Sequence, residues 1–251
     1  MPKSRQQDSN MQFYSIENDA KTIKGRDLGY RTAIQYWQSA DKSGYNVCRH
    51  ATTCRDNCIE VTGRGVFPNV KKARHERTVM FFEDRLNYER MVVKEIERHI
   101  RLSEKHGYTP CARPNGTSDI PWERVRFKTQ KNRTLMELFP DLIWYDYTKY
   151  PYKSRPTEKL PSNYSLTFSV SELTTDEEIH ENINMGRNCA VVFDVEKEEK
   201  LPATYLKYEV IDGDLNDLRF TDPIGVIVGL RLKGNDVGLK NTTIESGFVR
   251  K

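Results

Sequence analysis

Three cysteines lie within eleven residues of this chain, at Cys48, Cys54 and Cys58, with the spacing C-x5-C-x3-C. Thiolates are ligands for zinc and for iron–sulfur clusters, and nearby cations such as Arg49 and Arg55 favour the thiolate form. Three thiolates leave one iron of a cubane cluster without a protein ligand. A [4Fe-4S] cluster held here would therefore have an open iron at which a small molecule could bind, as a catalytic cluster requires.

The same cysteines allow two other interpretations. Zinc would take the three thiolates together with His50, which gives a closed tetrahedral site. The three residues could also be thiols without a metal, and their spacing alone does not choose among these possibilities. Cys111 and Cys189 lie inside apolar runs, so we expect them to be small core residues and not ligands.

Apolar runs that alternate with helical patterns predict the elements that position this cluster. The expected strands are residues 31–37, 108–113, 142–148, 164–169, 189–195, 208–212 and 225–232, and the expected helices are 70–82, 85–106 and 175–185. This alternation predicts a parallel sheet with crossovers. We expect a polar N-terminal lead-in over 1–29. A single α/β domain over 30–251 would follow, with a full or partial (β/α) barrel-like sheet and a cysteine-rich loop after its first strand.

Polar residues gather directly after the expected strands, where parallel α/β folds place their chemistry. The catalytic candidates at this position are Asp119, Lys149, Glu172, Asp212 and Asp214. The cofactor-binding candidates are Asn115, Thr117, Ser118 and Ser169. Ordinary explanations exist for each, because strand ends meet solvent and lysine is commonly exposed. A tight turn explains Asp212-Gly213-Asp214 as well as a cation or ribose site does.

A second pattern concerns nucleic acid. Residues 124–133 contain five basic side chains and no acid: Arg124, Arg126, Lys128, Lys131 and Arg133. Tyrosines and further basic residues, Arg155 among them, follow within 145–155. Basic side chains with interleaved aromatic rings suit phosphate contact and base stacking. A solvated loop beside a strand with half-buried tyrosines would have the same composition.

The composition restricts the class of protein. A chain of 251 residues with 30% charged residues and a net charge of +4 fits one domain and permits phosphate contact without requiring it. The sequence contains no GxGxxG, GxxxxGK(S/T), HExxH or GxSxG motif, which argues against the corresponding nucleotide, metalloprotease and hydrolase sites. No apolar run is long enough for a membrane span or a signal peptide, so we expect no membrane contact and a cytoplasmic location.

A series of short blocks carries a family resemblance. In order they are residues 63–65, 70–74, 77–78, 115–120, 122–123, 145–149, 160–164, 166–169, 212–214, 217–220, 228–230 and 233–234. Together they resemble a family of phage and prophage proteins of the "gene product eighty-eight" type, over roughly residues 28–250. A phage protein of this kind would act in the host cytoplasm.

That family is distantly similar to radical S-adenosylmethionine (SAM) proteins, which have a cysteine-rich loop after the first strand of a barrel-like fold. The resemblance implies a [4Fe-4S] cluster on Cys48, Cys54 and Cys58, and a turn at 115–119 that contacts the amino group of SAM. Both gaps between the cysteines are longer here than in the usual CxxxCxxC motif. One hypothesis is an iron–sulfur enzyme with a small-molecule or nucleic-acid substrate. The other is a non-catalytic phage accessory protein that binds nucleic acid, with zinc or a cluster as a structural staple.

Overall fold

The computed structural model describes residues 11–16, 23–56, 58, 60, 63–196, 198–232 and 237–250, with the backbone alone for 237–240. Ten strands form one sheet in the order β1-β2-β3-β4-β5-β6-β9-β8-β7, and β10 also pairs with β6. In chain order they are β1 Tyr14–Ile16, β2 Tyr30–Gln35, β3 Thr109–Arg113, β4 Ile143–Thr148, β5 Tyr164–Ser169, β6 Cys189–Phe193, β7 Thr204–Tyr205, β8 Tyr208–Asp212, β9 Ile227–Arg231 and β10 Val249–Arg250.

The sheet is mostly parallel, as its alternation with helices predicts. Strands β2 to β6 are adjacent in the order in which they occur along the chain, and every pairing along the order β2-β3-β4-β5-β6-β9-β8 is parallel. At the far edge of the described sheet, β7 pairs antiparallel with its neighbour β8. Their carboxyl ends therefore meet at one edge of the sheet. The mixed α/β single domain is confirmed. Within the described part of the chain β1 and β7 are the outer strands and do not pair, so this order does not establish a closed barrel.

Part of the expected N-terminal lead-in belongs to the sheet. Strand β1 pairs antiparallel with β2 and places Phe13 and Tyr14 in the core with no exposed surface. The Glu95 carboxylate accepts the backbone N–H groups of both residues at 2.9 Å, which fixes the strand against the second helix. Sequence reasoning missed this strand.

In the described residues five α-helices accompany the strands: α1 Pro68–Glu83, α2 Arg85–Lys105, α3 Leu135–Leu138, α4 Asp176–Asn184 and α5 Val237–Glu245. Helix α2 buries Tyr88, Val92 and Ile96 completely, because their four-residue spacing puts them on one face. Each such side chain stabilises the core by roughly 1.5–3 kcal/mol. Among the described helices none is both long and apolar enough to cross a bilayer.

Two helix starts follow the sequence closely. Pro68 occupies the first turn of α1, where a missing N–H has no cost. Thr175 and Glu178 form a capping box at the start of α4, in which each side chain binds the backbone N–H of the other. These local signals explain why the helices begin at Pro68 and Asp176, within two residues of the starts expected at 70 and 175.

Gly116 allows the turn after β3 to lie directly against the end of β2. Its N–H donates to the Gln35 carbonyl at 2.8 Å, and a Cβ atom at this position would lie 2.7 Å from that oxygen and from the Tyr36 ring. We expect Gly116→Ala to lower the free energy of unfolding by about 1–3 kcal/mol, as overpacking does. Urea unfolding measures this as a lower midpoint at an unchanged slope, and an unchanged midpoint would contradict it.

Candidate functional site

A cavity of about 1240 Å³ lies at the carboxyl edge of the parallel strands. Its lining includes Ser39 after β2, Thr117 after β3, Lys149 after β4, Ser169 at the end of β5 and Leu230 near the end of β9. The carboxyl ends of most strands in the described sheet therefore border the same cavity. The volume is sufficient for a cofactor together with a substrate.

The three loop cysteines line this cavity together. The Cys48 thiol donates to the Thr117 carbonyl at 3.7 Å, which ties the loop to the turn after β3. Burial raises the pKa of Cys48 to about 12, and negative charge on Cys58, Asp119 and Cys54 adds to this increase. Burial also raises the pKa of Cys58. A bound metal would displace the protons of these thiols.

Glu172 anchors the short turn that carries Cys54. Its carboxylate accepts the Thr53 N–H at 2.8 Å and the hydroxyls of Thr53 and Thr52 at 2.6 and 3.0 Å. Although burial opposes the change, these bonds lower the pKa of Glu172 overall. The carboxylate is occupied by the loop and stands outside the described cavity lining, so its geometry is that of a positioning residue and not of the catalytic acid that the sequence suggested.

We expect Glu172→Ala to release the cysteine loop. Hydrogen bonds to a charged group contribute about 1.5–3 kcal/mol, so local opening should become at least tenfold more frequent. Native-state labelling of the loop cysteines with a thiol reagent measures this change. Glu178→Ala is the control, because it weakens the cap of α4 without touching the loop. Equal labelling rates in the two variants would refute the anchoring role.

Asn115 builds the turn after β3. Its Oδ1 accepts from Ser118 Oγ at 2.6 Å, from the Ile120 N–H at 2.9 Å and from Trp122 Nε1 at 3.1 Å. Its Nδ2 donates to Asp146 Oδ2 at 2.9 Å. Asn115 and Ser118 line the cavity, but these bonds occupy their polar atoms.

Thr117 closes the same turn against the end of β2. Its hydroxyl accepts the Trp37 N–H at 2.8 Å and donates to the Trp37 carbonyl at 2.6 Å. Contact of these turn residues with a cofactor stays a prediction. The structure shows a turn that is held by internal hydrogen bonds and borders the cavity.

Asp119 and Lys149 meet at the cavity wall. The Asp119 carboxylate accepts the Lys149 N–H at 2.7 Å and pairs with Arg155 Nη1 at 3.1 Å. Burial raises the pKa of Asp119 although Arg155 opposes this. The Lys149 ammonium donates to Ser169 Oγ at 3.2 Å, and burial lowers its pKa. Lys149 and Ser169 are therefore brought together as the sequence predicted, whereas Asp119 is committed to an ion pair.

Asp212 and Asp214 form a tight turn beside the cavity. The Asp214 N–H donates to Asp212 Oδ1 at 2.9 Å, and Arg231 Nη1 lies 2.9 Å from Asp212 Oδ2 and 3.4 Å from Asp214 Oδ2. Neither acid belongs to the described lining, whereas Arg231 does. Their geometry is therefore that of a turn that positions Arg231. Arg219, a nearby cation in the sequence, pairs with Asp222 at 3.3 Å.

The five basic residues of 124–133 are exposed and stand outside the described lining of the cavity. Arg126 pairs with Glu137 at 2.6 Å, and Arg124 donates to the Ser154 carbonyl. Nucleic-acid contact by Arg124, Arg126, Lys128, Lys131 and Arg133 stays a prediction. The further suggestion that Arg155 contacts phosphate is wrong, because that side chain is buried among carboxylates.

Sequence reasoning missed most of the cations around the cavity. Besides Lys149, the described lining contains six arginines: Arg55, Arg64, Arg74, Arg77, Arg113 and Arg231. Asp119 is the one carboxylate among the described lining residues. The signal was present in α1, where Arg74 and Arg77 are three residues apart and so share a helix face.

Comparison with known proteins identifies a family. Neither a curated protein nor a solved structure matches the chain significantly. A family model described as Gene product 88 matches residues 11–251, which is nearly the whole chain. The chain therefore belongs to the Gene product 88 family, the phage family that its sequence blocks resemble.

Proposed function

We propose that this protein is an iron–sulfur enzyme of the radical SAM type, with a [4Fe-4S] cluster held by Cys48, Cys54 and Cys58. One observation carries the proposal: three thiols from a single loop line the cavity that the carboxyl ends of the parallel strands also border. Catalytic groups in parallel α/β folds gather at this edge.

The chemistry of the donor set supports a cluster. Soft thiolate ligands select zinc, copper(I) or iron–sulfur clusters. The described residues hold no group of three or more His, Cys, Asp and Glu side chains close enough for a single metal ion. His50, the fourth ligand of the zinc alternative, packs edge-to-face against Tyr150, and the centroids of the two rings are 4.3 Å apart.

When bound, such a cluster supplies an open iron for SAM and an electron that breaks one of its carbon–sulfur bonds. The protein's own residues position the reactants. Lys149 offers an ammonium group to a carboxylate, and Ser169 holds that ammonium by a 3.2 Å hydrogen bond. The turn at 115–119 forms a wall whose internal hydrogen bonds keep its shape, and Glu172 fixes the loop that carries Cys54.

Purification without oxygen, followed by metal analysis, tests the proposal. We expect roughly four irons and a similar amount of sulfide per chain, with a broad visible band of the iron–sulfur type. Addition of SAM and a strong reductant should then give products of SAM cleavage. A colourless protein with one zinc, or with no metal, would refute the proposal.

The five exposed basic side chains of 124–133 support a second candidate function, which is nucleic-acid binding with the cysteines as a structural metal site. We expect binding to a single-stranded oligonucleotide to weaken with salt. Neutralising Lys128 and Lys131 together should reduce the salt slope by about 1–2. Lys94→Gln with Lys105→Gln, on exposed positions of α2, is the control of equal charge. Binding that does not depend on salt would eliminate this candidate.

A further inference from the structure

The charge of the cavity lining is strongly one-sided. Seven cationic side chains line it, against the single carboxylate of Asp119 among the described lining residues. Three of the arginines have acidic partners: Arg55 pairs with Asp41, Arg113 with Asp217 at 2.7 Å, and Arg231 with Asp212 at 2.9 Å. In the described part of the chain no carboxylate oxygen lies within 4.0 Å of the charged nitrogens of Arg74, Arg77 or Lys149.

Arg74 and Arg77 are side by side on the cavity face of α1. Arg77 donates to the carbonyls of Gln12 at 2.6 Å and Tyr36 at 3.3 Å. Arg74 makes one long bond to the Glu60 carbonyl at 3.4 Å, and its Nε is buried without a partner. Only 8% of Arg74 is exposed. Arg74 is buried and Arg77 is half-buried, and their charges repel each other. Glu60 and Glu95 attract them only from beyond ion-pair distance, so an anion bound between the two guanidinium groups would offset a cost that remains.

The proposed cofactors do not account for this charge. Three thiolates on a cubane core carry roughly one net negative charge. Bound SAM has a sulfonium, an ammonium and a carboxylate group, and therefore offsets that charge. Arg74 and Arg77 would still face the cavity without a carboxylate of the described residues in contact with them. A further anionic group fits there, and it belongs to neither the cluster nor SAM.

We propose that the cavity binds a phosphate-bearing substrate and that Arg74 and Arg77 hold its phosphate group. Guanidinium groups match phosphate oxygens with paired hydrogen bonds, and two of them suit a doubly charged group better than a single carboxylate. A volume of about 1240 Å³ accepts a nucleotide beside SAM. This inference rests on the proposed function, because it names the substrate class of that enzyme. Binding of the phosphate group does not itself require the cluster.

Calorimetric titration of the full-length protein tests the inference with four probes: inorganic phosphate, adenosine monophosphate, adenosine and a 5′-phosphorylated single-stranded oligonucleotide. We expect adenosine monophosphate to bind at least tenfold more tightly than adenosine. Arg77→Gln and Arg74→Gln should each weaken that binding about tenfold or more, which corresponds to about 1.4 kcal/mol. Lys72→Gln, an exposed position on the same helix, should leave it unchanged.

The comparison of probes identifies the source of the phosphate. Binding of the mononucleotide alone assigns a free nucleotide, and tighter binding of the oligonucleotide assigns a nucleic-acid strand. Equal affinity for adenosine and its monophosphate, absence of binding by all phosphate probes, or equal losses in Lys72→Gln and Arg77→Gln would overturn the inference. If a glutamine variant does not fold, Arg77→Lys is tested in its place. Lysine retains the positive charge but cannot form the paired hydrogen bonds of a guanidinium group, so this variant should still bind adenosine monophosphate more weakly than the parent protein does.

A chain with all three loop cysteines replaced by serine separates this inference from the proposed function. Phosphate binding should persist in that chain although metal is absent. A protein that carries the cluster and cleaves SAM, but does not distinguish adenosine monophosphate from adenosine, would overturn the phosphate inference alone. A protein without iron that still binds the monophosphate through Arg77 would refute the proposed function alone.

Discussion

Cys54→Ser is expected to abolish the proposed iron–sulfur centre, so that protein purified without oxygen lacks the visible absorbance and the cleavage of SAM expected of the parent protein. Serine preserves the size of the side chain, but its hydroxyl is a poor ligand for iron where a soft thiolate is needed. Cys54 is the proposed ligand whose turn Glu172 anchors, so the loop should remain in place while the thiol is lost. Iron should fall from roughly four per chain to a small fraction of that.

The expected loss of SAM cleavage exceeds the roughly 10–100-fold cost of losing a residue that merely supports a metal ligand. Cys189→Ala is the matched control, since Cys189 is fully buried in β6 and belongs to the apolar core. It should lower stability and leave iron content and absorbance unchanged. Colour that survives in Cys54→Ser, or that disappears equally in Cys189→Ala, would contradict the assignment of ligands.

The central strands could be predicted because buried parallel strands are short, nearly continuous apolar runs. Residues 164–169 coincide with β5, and the run at 189–195 contains β6. The edge strands could not be predicted in this way. Strands β7 and β10 have two residues each, which is too short for any periodicity, and they exist because a neighbouring strand pairs with them.

The position of the site could be predicted from topology alone. Parallel strands bring their carboxyl ends to one edge, so a cysteine loop after β2 and a lysine after β4 must lie near each other. Lys149 and the three cysteines indeed line one cavity. The sequence could not predict which polar residues are occupied by hydrogen bonds to other parts of the protein. Glu172 binds Thr53, which lies 119 residues earlier in the chain, and no local pattern indicates that pairing.

The buried Arg155 had no local sequence signal. Arginine is usually exposed, and a run of basic and aromatic residues therefore predicts a surface. Arg155 lies 36 residues from Asp119 and 32 residues from Glu123, and only the fold brings them together. The composition that suggested nucleic-acid contact at 145–155 arises in part from a buried ion-pair network.

That network gives the largest expected effect on stability. The Arg155 side chain has no exposed surface, and its Nη1 lies 3.1 Å from Asp119 Oδ1 while its Nη2 lies 2.8 Å from Glu123 Oε2. It also donates to Thr148 Oγ1 at 3.0 Å and to the Tyr164 hydroxyl at 3.3 Å. These bonds join the turn after β3 to the end of β4 and the start of β5. Removal of the guanidinium would leave two carboxylates buried without their main counter-charge.

We expect Arg155→Met to lower the free energy of unfolding by about 3–5 kcal/mol, because breaking a buried pair leaves an uncompensated charge. Urea unfolding at neutral pH measures the loss. Arg124→Met is the matched control, since Arg124 Nε lies 3.5 Å from the same Glu123 but its side chain is 55% exposed. An exposed pair contributes at most about 1 kcal/mol, so this variant should remain close to the parent protein.

A second substitution distinguishes lost charge compensation from lost packing. Glu123→Gln removes one of the two charges that Arg155→Met leaves behind, so the double variant should be more stable than Arg155→Met alone. A double variant that is as unstable as the sum of the two single variants would indicate that packing dominates. A loss within about 1 kcal/mol for Arg155→Met itself would show that water solvates the carboxylates when the arginine is gone, and the network would then not hold the strand ends around the cavity.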